Sequence, residues 1–373
     1  MNFKVNKVFL ESVLDKLMSI SVKTGHQEKC ASFGFIPDSL TGENLFVLRT
    51  NGEVTGVVRL NLSDKLQDDE KSMFFVKDSY LHNLVKHLPE DAEIEFTLKK
   101  NKVKVLSGSF NATWFLWEAP QKEGVRNITA VEDSGFKKSK ELGVVNRKDF
   151  VDVVNRVIYA VPKFTFQANK QRIVLTKEGG RASDLYSCYQ EIEGKGFNLK
   201  EPVHIPFEAF GLFKFVKNSV EDEIMIRELD GNLYFILGSD YFIYRKQEEG
   251  FSEELLKNSL PESGLGFHTE VKRLKSVIER VGSVDEDNNI IEIDLSSGKE
   301  VLIKAEDRVG NKSSEKIAIH IEGSEKPGVY KLDYSLLKDA LSSVKDEVIE
   351  FEVRGNYVVL KGEDSRGIIS LVQ

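Results

Sequence analysis

The sequence predicts an α+β protein built as three repeated domains, 1–125, 140–250 and 262–373, each a pseudo-twofold pair of β-α-β-β-β units. Three observations predict this. A hairpin-like phrase recurs three times, at intervals of roughly a third of the chain. Each copy follows a helix-like stretch, and another helix-like stretch opens each third. Strand-like runs fill the remainder, which suits antiparallel sheets with helices on one face.

The first copy of the phrase runs from Ala92 to Phe96 and from Asn101 to Gly108. The second runs from Asp222 to Ile226 and from Asn232 to Gly238, and the third from Glu347 to Phe351 and from Asn356 to Gly362. The helices that open each third span Val8 to Ile20, Lys148 to Val161 and Thr269 to Val281. In the second of these, Phe150, Val153, Val154, Val157, Ile158 and Val161 share one face. In the third, Val271, Leu274, Val277, Ile278 and Val281 do the same, at amphipathic spacing. The later helices span Asp78 to Leu88, Pro206 to Asn218 and Asp333 to Lys345. Each is entered by a short apolar strand: Phe74 to Val76, Val203 to Ile205 and Val329 to Leu332. Asp78 and Asp333 suit N-caps, and Pro206 suits a first-turn position. Strand-like runs such as Asn44 to Leu48, Arg172 to Leu175 and Ile290 to Asp294 lie between the helices. Polar stretches at Gln121 to Leu142 and Glu248 to Gly264 separate the thirds.

At 373 residues, 40% hydrophobic and 30% charged, the chain has the composition of a soluble globular protein. No apolar run is long enough to span a membrane. The opening MNFKVNKVFLESVLDK carries charges within its apolar pattern and does not read as a signal peptide. Cys30 and Cys188 are far apart and in no CxxC, so they read as reduced thiols.

The net charge of −8 argues against nucleic-acid binding when taken alone. Its distribution argues otherwise, because the helices carry more Lys and Arg than Asp and Glu. Opposite the apolar stripe of the Thr269 helix lie Lys272, Arg273, Ser276 and Arg280, with Glu279 among them. The Lys148 helix offers Lys148, Asn155 and Arg156, with Asp152. The Asp78 helix offers Ser79, Asn83 and Lys86, and the Asp333 helix Ser335, Lys338 and Ser342. The helix from Pro206 gives no clean stripe. One such face alone is an ordinary solvated surface. Repeated in every third of an acidic protein, it becomes a surface that attracts a polyanion while the rest repels it.

Motifs for catalysis are missing. Gly179-Gly180 and Gly264-Leu265-Gly266 lack the companions of a phosphate loop. His82 and His87 fall on different sides of a helix, which disfavours metal ligation. Asp285 to Asn289 resembles the start of a calcium loop, but Ile290 stands where the sharp turn needs Gly, so it reads as an acidic turn. No residue is assigned a catalytic role, and no metal or cofactor is expected.

The order of these features resembles the bacterial-type DNA polymerase sliding clamp, the β subunit of the replicative polymerase, over essentially the whole chain. The resemblance is strongest at Val203-His204-Ile205-Pro206 entering a helix, at Asp230-Gly231-Asn232-Leu233, and at Gly238-Ser239-Asp240-Tyr241-Phe242-Ile243. Gly250-Phe251-Ser252 leading to Leu260-Pro261 resembles the linker to the third domain. The family implies a processivity factor: a head-to-tail homodimer ring, helices inside and sheets outside, encircling double-stranded DNA without reading its sequence. A helix of about 13 residues is about 20 Å long, a sensible wall for such a channel. On this resemblance Lys86, Lys148, Arg156, Lys272, Arg273, Arg280 and Lys338 face DNA. The family also binds the replicative DNA polymerase and clamp loader through a pocket at the C-terminus. Thr176, Gly179 and Arg181 resemble its loop, Leu256 its interdomain segment, and Ile369, Ser370, Leu371 and Val372 its C-terminal strand. The loop carries an extra residue and the tail lacks a Met-Pro-Met-like ending, so partner peptides differ from the common motif. For Ile369 and Leu371 an ordinary core strand is the competing reading. The location implied is the cytoplasm, or the host cytoplasm for a virus-encoded member. Two other readings stay open: a repeat-built protein-interaction scaffold without a DNA-encircling role, and an enzyme with a site between repeats.

Overall fold

The fold is described from a computed structural model that covers residues 1–22, 30–37, 43–64, 66, 73–119, 138–162, 171–247, 252–284, 289–323 and 327–372. Residues 285–288 of the expected acidic turn Asp285 to Asn289 lie outside them, as do Gly250 and Phe251. The α-helices among the described residues are α1 (Lys7–Leu17), α2 (Asp78–His87), α3 (Arg147–Val157), α4 (Gly211–Lys217), α5 (Leu255–Asn258), α6 (Val271–Gly282) and α7 (Tyr334–Ser343). No helix among them is long and apolar enough to cross a membrane.

The recurring phrase is a recurring hairpin. Glu93–Lys99 pairs with Lys102–Ser107, Glu223–Leu229 with Asn232–Leu237, and Val348–Arg354 with Tyr357–Lys361, all antiparallel. The closing pairs are Lys99 with Lys102, Leu229 with Asn232, and Arg354 with Tyr357, so each loop is two residues long. Such loops need left-handed backbone, which Asp230 (φ 50°) and Gly231 (φ 74°) both supply in the second copy. A third strand follows each hairpin: Phe110–Phe115, Asp240–Arg245 and Ser365–Ser370.

Each of six helical segments is entered in one way. A strand ends, and the first helical amide donates to the carbonyl that flanks the neighbouring strand. For the opening helices these bonds run from Lys7 to Ala92 (2.9 Å), Arg147 to Asp222 (2.8 Å) and Val271 to Glu347 (2.9 Å). For the later helices they run from Asp78 to Ala31 (3.0 Å), Phe207 to Gln171 (2.8 Å) and Tyr334 to Asn289 (2.8 Å). Each bond satisfies a helix-start donor that has no partner inside the helix. Asn6 caps α1 by accepting from the Val8 amide, and Asp333 caps α7 by accepting from the Leu336 amide. Asp78 is not a cap of this kind. It is the first residue of α2, behind Lys77, and its carboxylate takes Arg49 at 2.6 Å.

The chain packs as two compact units, 1–147 with 208–246 and 148–207 with 247–373. In the first, one sheet runs Asn2–Asn6, Glu93–Lys99, Lys102–Ser107, Phe110–Phe115. The strands of its larger sheet run Lys140–Asn146, Glu223–Leu229, Asn232–Leu237, Asp240–Arg245, Val54–Asn61, Asn44–Thr50, Ser32–Pro37, Phe74–Lys77. Rings fill its core: Phe3 stacks on Phe96 at 4.8 Å and Phe35 on Phe74 at 4.9 Å. In the second unit the large sheet runs Val203–Pro206, Arg172–Thr176, Gly179–Ser183, Cys188–Glu193, Ser365–Ser370, Tyr357–Lys361, Val348–Arg354, Leu265–Glu270, Glu322–Gly323. A smaller sheet runs Lys312–Ala318, Glu300–Glu306, Ile290–Asp294, Val329–Asp333. Phe267 stacks on Phe351 at 4.9 Å across the same kind of strand pair as Phe3 and Phe96. Both cysteines are free thiols, Cys188 buried and Cys30 half-buried.

The expected helix from Pro206 to Asn218 is broken. Pro206 ends a strand, a 3-10 turn covers Phe207–Ala209, and α4 begins only at Gly211. A Cβ at Gly211 would sit 2.6 Å from the Ser19 carbonyl oxygen, so the chain passes α1 too closely for any side chain there.

Candidate nucleic-acid interface and partner groove

Each helix buries its apolar stripe and leaves an outward face, and the cations on those faces decide what the surface attracts. On α6, Val271, Leu274, Val277, Ile278 and Val281 are buried while Lys272, Arg273 and Arg280 are exposed. Arg280 holds Glu315 with Nη2–Oε1 at 2.6 Å, which keeps the Glu315 carboxyl below the usual range. Lys86 on α2 and Lys148 on α3 are exposed. Lys338 on α7 is half-buried, 4.0 Å from Glu279 and 5.8 Å from the centre of the Tyr334 ring. Asp152 is engaged by Lys345 at 2.6 Å. The expected negative interruptions are therefore partly neutralised by neighbouring lysines.

Arg156 departs from the expected face and is a correction. It is buried, donating from Nη2 to Asp364 Oδ1 (2.5 Å), from Nη1 to Asp364 Oδ2 (2.7 Å) and from Nε to the Ser343 carbonyl (2.5 Å). Its charge is spent on a partner far along the chain, so it is no exposed cation for DNA. On α1 the lysines are spent as well. Lys7 and Lys16 are buried against Glu11 and Asp240, and the outward residues are Val8, Phe9 and Ser12.

Sequence reasoning missed Lys214 and Lys217. Both are exposed on α4, opposite buried Leu212, Phe215 and Val216. The signal was present but masked: starting the helix at Gly211 gives an i, i+3, i+4 apolar set, whereas starting at Pro206 scatters four Phe around the barrel.

In the second unit Thr176, Gly179 and Arg181 line a groove of about 450 Å³ with Glu191, Glu254, Lys257 and Arg366. Thr176 and Gly179 close a hairpin opposite one another. A Cβ at Gly179 would lie 2.1 Å from the Ile192 carbonyl oxygen, and its φ of 144° suits only glycine. Arg181 Nη1 meets Glu254 Oε1 at 2.5 Å, and Lys257 Nζ meets Glu191 Oε2 at 2.8 Å, so both ends of α5 are pinned to the sheet. Leu256, between those two contacts, is buried against Tyr189 and Ile368.

No protein-family model and no curated protein matches the chain. Solved structures do. The DNA polymerase III subunit beta from Pseudomonas aeruginosa superposes at TM-score 0.82, with 17% identity, 100% of this chain and 100% of that chain covered. The DNA polymerase III beta subunit from Thermotoga maritima gives 0.81 at 16% identity, covering 100% and 99%. The Bacillus subtilis DNA polymerase sliding clamp gives 0.81 at 12% identity, again covering 100% and 99%.

The chain has the sliding-clamp fold. Within that fold the tail residues singled out from sequence divide by strand phase. Ile368 is buried with Leu256 and Tyr189 on one sheet face, whereas Ile369 is buried in the main core of the second unit on the other. Ile369 as a groove residue is thus corrected: it is a core side chain, and the strand lines the groove through Ser365 and Arg366 instead. Ser370 donates its hydroxyl to the Tyr186 carbonyl, Leu371 packs half-buried against the core, and Val372 is exposed. Alternation alone could not choose between Ile368 and Ile369, because a one-residue slip exchanges the faces and both residues are apolar.

Proposed function

We propose that this protein is a sliding clamp: a non-enzymatic ring that encircles duplex DNA without sequence preference and tethers the replicative DNA polymerase. The full-length match of fold to proteins named as clamps and polymerase β subunits carries this reading. The charge arrangement supports it. An acidic protein of net charge −8 turns exposed Lys86, Lys148, Lys214, Lys217, Lys272, Arg273 and Arg280 outward on its helices. Sparse cations suit sliding, since phosphate contacts carry no sequence information and a dense patch would hold DNA in place.

The reading takes the three repeats as clamp domains at 1–125, 140–250 and 262–373, and assembles two chains head to tail into the ring. A clamp loader opens it, and the ring works in the cytoplasm, or in the host cytoplasm if the gene is viral. Polymerase and loader dock at the groove of Thr176, Gly179 and Arg181, beside Leu256 and the outward residues of the C-terminal strand. That groove carries charges of both signs, which favours partner peptides with polar and charged residues. Replacing Thr176, half-buried on the groove wall, with Arg should abolish polymerase stimulation while dimerisation persists. Full stimulation by a folded Thr176→Arg protein would place the docking site elsewhere.

A further inference from the structure

Two joints inside the chain repeat one strand register, residue for residue. Each of six half-units contributes a row of strands, and its last strand is an outer edge. Two such edges meet twice inside the chain. Asp240–Arg245 lies beside Val54–Asn61, and Ser365–Ser370 lies beside Cys188–Glu193. In both joints a strand ending a later half-unit meets the strand ending an opening half-unit. Among the described residues, one edge of each kind remains outermost in its sheet: Phe110–Phe115 and Lys312–Ala318.

The two internal joints share one register. Equivalent positions follow from the pairings themselves. Lys102, Asn232 and Tyr357 open equivalent strands and face Phe115, Arg245 and Ser370. Counting back four residues makes Asn111, Tyr241 and Arg366 equivalent. On the other side, Lys77, Pro206 and Asp333 face Ser32, Arg172 and Ile290. Two residues on, Gly34, Val174 and Glu292 face Leu48, Arg181 and Lys304. Those in turn face Val57, Glu191 and Ser314. In the structure Tyr241 pairs with Val57 and Arg366 pairs with Glu191. The same equivalent positions meet in both joints, although the side chains share no chemistry.

We infer that the third joint forms between two copies of this chain in the same antiparallel register, Asn111 opposite Ser314. Ala112 then faces Ser313, and Thr113 faces Lys312. This rests on the head-to-tail reading above and adds its register. Side-chain phase agrees independently. Asn111 and Thr113 lie on the sheet face opposite buried Val103 and Val105, and Ser314 and Lys312 lie opposite buried Ile303 and Ala305. A slip of one residue would set outward side chains against core-facing ones. The Phe110–Phe115 edge also lacks the charges and prolines that defend a solvent-exposed edge, and leaves Phe115 67% exposed. A paired neighbour removes that liability.

Paired cysteines in a Cys30→Ser background test the register. Directly opposite residues sit within disulfide reach, whereas diagonal ones lie about 7–8 Å apart. Mixing an Asn111→Cys protein with a Ser314→Cys protein should give an oxidised dimer at least about tenfold faster than Asn111→Cys mixed with Lys312→Cys or Lys316→Cys. Neither single variant should cross-link to itself. Preferred cross-linking at 312 or 316, or of 111 with 111, would overturn the register. Sedimentation of the reduced protein separates the two ideas: a dimer without the 111–314 cross-link sinks only the register, and a monomer sinks the head-to-tail reading with it.

Discussion

Arg156 carries the clearest lesson at the scale of residues. Helical spacing places it opposite an apolar stripe, the position of a solvent-facing cation. The chain instead returns Asp364 to it and closes a two-pronged ion pair. Nothing local signals that pairing, because the partner is 208 positions away. Arg156→Ala would strand a half-buried carboxylate and an unpaired Ser343 carbonyl, and should cost on the order of 2 kcal/mol in chemical denaturation. The pair also has a pH signature. The Arg156 guanidinium holds the Asp364 carboxyl below its ordinary value. A depressed folded-state value means the stabilisation is complete above the unfolded value of about 3.9 and fades as pH falls through the lower folded value. Acid titration of stability should therefore flatten below about pH 4 in Asp364→Asn relative to the parent protein. The exposed cations behave oppositely. Reversing Lys272, Arg273 and Arg280 to Glu should leave the melting temperature nearly unchanged and lower DNA retention by roughly tenfold or more. Unchanged retention would remove α6 from the DNA-facing surface.

Among the elements, hairpins and amphipathic helices were legible because their signals are local. Two-residue loops at Asp230-Gly231 and Gly355-Asn356, and the apolar periods of α3 and α6, state their own geometry. What was not legible came from contacts between distant segments. The break before α4 follows from the passage of Gly211 against the Ser19 carbonyl, which no window of sequence around Pro206 contains. Gly211→Ala should destabilise the protein by about 1–3 kcal/mol, because the obstructing atom is backbone and cannot rotate away. A melting temperature equal to the parent's would contradict the close approach. The same distance effect hid Ile368 behind Ile369. Strand existence was plain, but its phase was set by Leu256 and Tyr189 covering one face.

For the whole molecule, the repeat matters more than any single motif. Three copies of a phrase announced a threefold organisation, and six equivalent helix entries show a finer unit beneath it. Acidic composition and exposed basic helix faces supply the electrostatic half of the account: attraction at the helix faces within a chain whose net charge repels a polyanion. The other half is topological, since a protein that holds DNA by encirclement does not depend on tight contacts. Retention on a nicked circular plasmid, after loading with a clamp loader and ATP, tests this most directly. The protein should co-elute with the circle in moderate salt and leave it when a restriction enzyme linearises the plasmid. Failure to stay on the circle, or equal retention before and after linearisation, would contradict encirclement.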